Sequence, residues 1–328
     1  MRPRLAITLG DINGIGPEVL AKALANPRMW QLCRPLVIGS AEVLEWARRF
    51  APACPEPVAV DSSDAECPED RIPVLQGDVT VPALRVGSLD PEAGRCAAEW
   101  LRLAVDLTVS GKTQGIVTCP LTKEGLQKAG YPYAGHTDMI AALTSSPDYR
   151  MCLFAGPMRV VHITAHLPLA EALRQVETDR IVSSVRIANV ALARLGFKPG
   201  RIAVAGLNPH AGEAGMLGAE EIERIEPAVR RCREEGIVCT GPYPPDTVFR
   251  RMREGEFDLV IAMYHDQGHI PMKLIAMDEG VNVTLGIPIV RTSPDHGTAY
   301  DIAGKGVARE DSLCAAIELA ARMTTVQG

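Results

Sequence analysis

Residues 202–210 read Ile202-Ala203-Val204-Ala205-Gly206-Leu207-Asn208-Pro209-His210, and a helical pattern over 219–235 follows them. A short apolar run closed by glycine, asparagine and proline is a strand delivered into a loop. The same unit recurs on both sides of it. Strands are expected over 5–9, 36–38, 116–118, 160–165, 202–206, 259–263 and 281–285. Helices are expected over 17–24, 41–50, 91–110, 179–195, 219–235 and 312–323. Between them, residues 51–90 are rich in Pro, Asp and Ser and read as a loop or small-strand insertion. Strands alternating with helices predict an α/β fold with mostly parallel strands.

Composition narrows the function classes. With 328 residues, 47% hydrophobic and 23% charged, the chain has the make-up of a globular protein of roughly two domains. A net charge of −6 argues against a broad nucleic-acid surface, and 4% aromatics against base-stacking platforms. No apolar run reaches the ~18 residues of a membrane-spanning helix, and the start reads as no signal peptide. Nine scattered cysteines without a CxxC pair predict buried thiols in a reducing cytoplasm.

The histidines carry the chemistry. Val160-Val161-His162-Ile163-Thr164-Ala165-His166, residues 202–210, and Leu259-Val260-Ile261-Ala262-Met263-Tyr264-His265 are strands that each run into a histidine. Ligands of open α/β sheets bind beyond the carboxyl ends of the strands. Neutral imidazoles converging there suit a catalytic divalent metal such as zinc. His162 lies four residues before His166 on a strand rather than a helix, and reads as structural. Any single histidine of this kind could instead cap a strand or bond backbone.

Three other stretches bear weighing. Ser110-Gly111-Lys112-Thr113 imitates the end of a P-loop, but Asp106 stands where the motif needs glycine and the order is helix then strand. Gly10-Asp11-Ile12-Asn13-Gly14-Ile15-Gly16-Pro17-Glu18 is a strand-to-helix turn without a full GxGxxG, with Pro17 suited to a first helical turn. The glycine-bearing stretch 295–306, with Gly297, Gly304 and Asp301, allows close backbone approach, and Asp301 offers an acceptor to a ribose or adenine group.

Taken together, several blocks resemble the 4-hydroxythreonine-4-phosphate dehydrogenase family of pyridoxal phosphate biosynthesis. They are Gly10–Glu18, Gly135-His136-Thr137, Ala165-His166-Leu167-Pro168-Leu169, Leu207-Asn208-Pro209-His210-Ala211-Gly212-Glu213, Tyr264-His265-Asp266-Gln267-Gly268 and Arg291-Thr292-Ser293-Pro294-Asp295-His296-Gly297-Thr298-Ala299. The resemblance runs in order from about residue 5 to the end. Stretch 295–306 is also similar to the adenosine loop of the isocitrate and isopropylmalate dehydrogenases.

The resemblance implies two α/β/α domains with a cleft between them. The first would span 1–130 and 290–328, and the second 131–289. It implies a homodimer with its active site at the interface. It assigns His166, His210 and His265 to a divalent metal (zinc, or magnesium, manganese or cobalt). Substrate binding falls to His136, Thr137, Lys273, Asn282 and Arg291, and Gly297, Asp301 and Gly304 fall to NAD. The implied reaction oxidises the 3-hydroxyl of a 4-phosphorylated four-carbon hydroxy acid and decarboxylates the β-keto acid. Asp246, Asp266 and Lys273 are the candidates for the catalytic base.

Two departures bear on the substrate. The family's usual Gly-Asp-Pro-Ala-Gly is replaced here by Gly10-Asp11-Ile12-Asn13-Gly14. The block Gly268-His269-Ile270-Pro271-Met272-Lys273 is closer to a second branch acting on 4-phospho-D-threonate or 4-phospho-D-erythronate. A cis-dihydrodiol carboxylate dehydrogenase of the same family, and a three-histidine metallohydrolase, are the alternatives.

Overall fold

The computed structural model describes residues 2–275 and 279–325. Residues 1, 276–278 and 326–328, which the expected domain ranges include, lie outside the described residues. The strands are β1 (Arg4–Thr8), β2 (Arg34–Ile38), β3 (Pro57–Val60), β4 (Ile72–Leu75), β5 (Gly115–Thr118) and β6 (Arg150–Ala155). They continue with β7 (Met158–His162), β8 (Ile202–Ala205), β9 (Cys239–Tyr243), β10 (Leu259–Ala262), β11 (Val281–Leu285) and β12 (Val290–Pro294). The α/β class is as the sequence predicts. The chain divides into two compact units, one of Met1–Pro147 with Ile287–Thr325, the other containing Asp148–Gly286.

In the first unit the strand order is β3-β4-β2-β1-β5-β12, parallel throughout. Leu5, Ala6 and Ile7 of the inner strand β1 are wholly buried. β3 and β4 fall inside the 51–90 insertion. Helix Pro91–Val109 starts where Asp90 accepts the N–H of Glu92 at 2.9 Å, an N-cap worth about 1 kcal/mol. Its Trp100 is fully buried and donates to the Gln76 carbonyl at 3.0 Å, tying the insertion to the core. The expected helix over 41–50 is an α-helix only over Ala41–Ala47, tightening to a 3₁₀ turn at Arg48–Phe50. Helix His136–Leu143, which the sequence pattern did not reveal, belongs to this unit, so residues 131–147 join the first half of the chain.

In the second unit the order is β11-β6-β7-β10-β8-β9. β7, β10, β8 and β9 are parallel, whereas β6 runs antiparallel to both β7 and β11. Gly156 and Pro157 make the reversal: two residues separate β6 from β7, and Gly156 takes φ +54. Strand β7 closes at His162 rather than at 165, although the Ile163 N–H still bonds the Ala262 carbonyl at 2.8 Å. The core is apolar: Val160, Ala203 and Val260 pack with Phe249, Met252 and Met272. Because β7, β10 and β8 are parallel neighbours, their carboxyl ends share one edge. That edge carries the loops to His166, His265 and His210.

Candidate functional site

Hydrogen bonds fix this edge of the second unit. Thr164 Oγ1 donates to the Met263 carbonyl at 3.0 Å, joining the ends of β7 and β10. Gln267, nearly buried, joins β10 to β8. Its Oε1 accepts the Met263 N–H at 2.7 Å and its Nε2 donates to the Gly206 carbonyl at 2.8 Å. The three histidine-bearing loops therefore leave a braced edge.

Two of these histidines sit in left-handed backbone. His166 has φ 52, and His210 begins five consecutive residues with φ between 44 and 80. A non-glycine residue in that region costs roughly 1–2 kcal/mol. Such strain concentrates where a side chain must be aimed. His166 and His210 are exposed and His265 is half-buried.

His210 and His265 share an arrangement. Nδ1 of His210 lies 2.9 Å from Glu213 Oε1, and Nδ1 of His265 lies 2.7 Å from Asp266 Oδ1. An ionised carboxylate only accepts, so in each ring Nδ1 carries a proton, and in the neutral imidazole this leaves the lone pair on Nε2. Carboxylate partners of this kind orient metal-ligating histidines and raise their basicity. The donor chemistry suits a borderline-soft divalent ion such as zinc. The rings of His166 and His265 lie 5.5 Å apart between centroids. Among the described residues, no three His, Cys, Asp or Glu side chains gather closely enough to hold a metal ion within one chain.

Behind His265 lie two buried histidines. His269 stacks on His265, centroids 3.6 Å apart and planes 12° from parallel, and its Nδ1 lies 3.1 Å from His162 Nε2. Burial, and then the neighbouring His265, push His269 down to about 4. Burial and the adjoining rings hold His162 well below the ordinary imidazole range. Both are neutral at pH 7. Nothing in the sequence marked His269 as a partner of His265 except its spacing of four residues on a helix that the periodicity did not announce.

Two cavities open on this unit. One, of about 240 Å³, is lined by His166, His265, Thr164, Tyr264 and Asp266. The other, of about 580 Å³, is lined by Asp246, Arg250, Tyr264, Asp266 and Gln267. Tyr264 and Asp266 thus border both. Asp246 is exposed at the start of helix Pro245–Arg253. Asp266 is engaged with His265. Lys273 is exposed on helix His265–Ile275, close enough for its charge to depress His269. Asn282 lies on β11 opposite Leu153, and its buried Oδ1 has no hydrogen-bond partner.

The first unit holds the remaining candidates. Arg291 on β12 is 2% exposed and donates to Thr118 Oγ1 of β5 at 2.7 Å. Burial pushes its guanidinium down to about 9, still charged at neutral pH. His136 and Thr137 open helix His136–Leu143. Burial, and then the Arg291 charge, hold His136 well below its ordinary value, so it is a neutral imidazole beside a cation. Arginine, an uncharged imidazole and a helix start are groups whose chemistry suits an anion.

Stretch 295–306 rests on the turn 10–18. Ile15 N–H bonds the Thr298 carbonyl at 2.9 Å, and Tyr300 donates to Asp11 Oδ2 at 2.5 Å. Buried Glu18 accepts from the N–H groups of Gly306 and Ala308 at 3.2 and 2.9 Å. The departure lies at 12–13, where Asn13 Oδ1 accepts the Arg85 N–H at 2.7 Å; at Gly14, which the family motif shares, a Cβ would stand 2.9 Å from Thr298. Gly297 is exposed with open space around it, and Asp301 is exposed. Gly304 has a packing reason of its own, since a Cβ there would meet Val86 at 2.7 Å.

Known proteins are similar along the whole chain. The pattern of the family described as "Pyridoxal phosphate biosynthetic protein PdxA" matches residues 31–320. A 4-hydroxythreonine-4-phosphate dehydrogenase of Desulforapulum autotrophicum is 43% identical, covering 100% of this chain and 97% of its own. A D-threonate 4-phosphate dehydrogenase of Cupriavidus necator is 43% identical over 98% of each. The crystal structure of 4-hydroxythreonine-4-phosphate dehydrogenase from Klebsiella pneumoniae has a TM-score of 0.89 at 42% identity, covering 98% of this chain and 99% of that one. With a family pattern spanning most of its length and full-length relatives above 40% identity, this chain belongs to the pyridoxal phosphate biosynthetic protein PdxA family.

Proposed function

We propose that the chain is an NAD-dependent dehydrogenase that oxidises the 3-hydroxyl of a 4-phosphorylated four-carbon hydroxy acid, with loss of carbon dioxide from the β-keto acid. The observation that carries this reading is the pair of carboxylate-oriented histidines, His210 with Glu213 and His265 with Asp266, at the ends of neighbouring parallel strands.

His166, His210 and His265 would hold a divalent cation, zinc first among the choices. Bound there, it would lower the pKa of the substrate hydroxyl and draw electron density from the ketone as carbon dioxide leaves. NAD, which accepts the hydride, would lie along stretch 295–306, with Gly297 admitting its backbone approach and Asp301 meeting a ribose hydroxyl.

The remaining steps fall to the chain's own side chains. Arg291 binds the phosphate, with His136 and Thr137 donating beside it. Its buried charge is held at a desolvation cost that an anion would relieve. The unsatisfied Oδ1 of Asn282 is an acceptor for a substrate hydroxyl. Lys273 offers a second cation. Asp266 keeps the His265 proton on Nδ1, which leaves Asp246 to take the hydroxyl proton while Lys273 serves as a cation, or an uncharged Lys273 to take it in place of that role.

The domain plan is part of the proposal: two α/β/α units of the isocitrate and isopropylmalate dehydrogenase type, working as a homodimer. Exposed Leu169, Met216, Leu217, Ile222, Ile270 and Leu274 give the second unit an apolar surface near its histidine loops, suited to a second copy. We place the protein in the cytoplasm, a reading supported by nine free cysteines. No helix among the described residues is long and apolar enough to cross a membrane.

The test is a substrate panel with zinc or magnesium and NAD, followed by NADH absorbance and carbon dioxide release. It contains 4-phosphohydroxy-L-threonine, 4-phospho-D-threonate, 4-phospho-D-erythronate, an unphosphorylated sugar acid and a cis-dihydrodiol carboxylate. Turnover confined to one phosphorylated acid supports the proposal and chooses its branch. Turnover of the dihydrodiol alone removes the phosphate assignment. Phosphate release without NADH would favour a metallohydrolase.

A further inference from the structure

The strained turn that carries His210 is gripped by one buried acid. Glu221 opens the π turn Glu221–Ile225 and is 2% exposed. Its Oε1 accepts the N–H groups of both Leu207 and Asn208 at 2.7 Å. Its Oε2 accepts from Asn208 Nδ2 at 2.9 Å, and that amide also donates to Glu220 Oε2 at 2.8 Å. The fit leaves no slack. A Cβ on Gly212, in the middle of the left-handed stretch, would stand 2.7 Å from Glu221 Oε2, and one on Gly206 would stand 3.2 Å from Oε1. A single carboxyl thus bonds the loop before His210 and packs against the turn after it.

We propose that Glu221 is a positioning residue for His210: it holds residues 206–212 in the left-handed turn from which the imidazole projects. This rests on the reading of His210 as a metal ligand. Glu221 acts through backbone N–H groups and the Asn208 amide, and no bond links it to the ring. Its neighbour Glu213 fixes the ring's tautomer; Glu221 fixes where the ring stands. An apolar residue in its place strands two backbone donors and frees the turn to relax toward right-handed geometry.

The experiment uses the full-length protein, stripped of metal and titrated with zinc against a chromophoric chelator, with thermal midpoints of the same samples. Glu221→Ala is expected to weaken zinc binding about 10–100-fold, the range for outer partners of metal ligands. Glu221→Gln keeps an acceptor for the two N–H groups and is expected to restore most of the affinity. If Glu221→Ala does not fold, Glu221→Asp replaces it, because its carboxyl is withdrawn by one methylene. Wild-type zinc affinity in the folded Ala or Asp variant, even with a lowered midpoint, overturns the proposal, as does a loss in Glu221→Gln as large as in Glu221→Ala. His210→Ala separates the two levels: if it binds zinc like the wild type, the ligand assignment fails; if it alone loses zinc, only the role of Glu221 fails.

Discussion

Arg291 illustrates how a residue's surroundings decide its meaning. In the sequence it is the first residue of the block 291–299 that carries part of the family resemblance. In the fold it is a buried cation whose guanidinium is pushed down to about 9 by desolvation. An anion beside it should therefore stabilise the folded protein. Inorganic phosphate is expected to raise the melting temperature of the wild type and to leave that of Arg291→Ala unmoved. Arg291→Ala should also raise KM for the phosphorylated acid at least about 10-fold, the loss of a charge-assisted bond worth roughly 1.5–3 kcal/mol. Arg291→Lys should recover little of it, since lysine lacks the planar fork.

His136 adds a pH dependence. Its folded pKa lies well below the ordinary 6.5. As pH falls through 6.5 the unfolded chain takes up the proton first, so the stability present above that pH is progressively lost below it. Urea midpoints measured from pH 7.5 to pH 5 should fall less steeply in His136→Asn than in the wild type. At this scale the sequence placed His166, His210 and His265 after strands, which is where they stand in the fold. It could not reveal Glu221 or Gln267, which reach Asn208, Leu207 and Gly206 across 13, 14 and 61 residues and follow no local pattern.

At the scale of elements, the long helices and most of the apolar strands could be read because their periodicity or punctuation is local. β6 could not: its run Arg-Met-Cys-Leu-Phe-Ala is buried almost throughout and shows no period. Helix His265–Ile275 was hidden too, because Gly268 and Pro271 interrupt its pattern. The turn 10–18 lacks a full GxGxxG, and its bonds to Thr298, Tyr300, Gly306 and Ala308 make it the support of stretch 295–306.

Two predictions belong here. Gly14→Ala would push a Cβ against Thr298 and should raise KM for NAD severalfold while leaving KM for the hydroxy acid unchanged; a change confined to the acid would detach this turn from the dinucleotide. Gln267→Leu removes the bridge between the ends of β10 and β8 and strands a buried N–H and carbonyl. A loss of about 1–3 kcal/mol in urea-unfolding free energy is expected, together with weaker zinc binding.

At the scale of the whole molecule, the division into two α/β units follows from the alternation seen in the sequence, while the boundaries depend on packing between residues far apart in the chain. The first unit is built from both ends of the polypeptide, and β12 is the neighbour that β5 waits for. Among the described residues, the second unit falls entirely within 148–286. On a ribosome that difference sets an order of events. Residues 148–286 can fold as soon as they emerge, while the earlier half is held with an open sheet edge until residues 290–294 arrive more than 170 residues later. A nascent chain stalled once residue 286 has emerged from the ribosome, with residues 290–294 still inside it, should already resist protease across 148–286 and remain cleavable in the half made first.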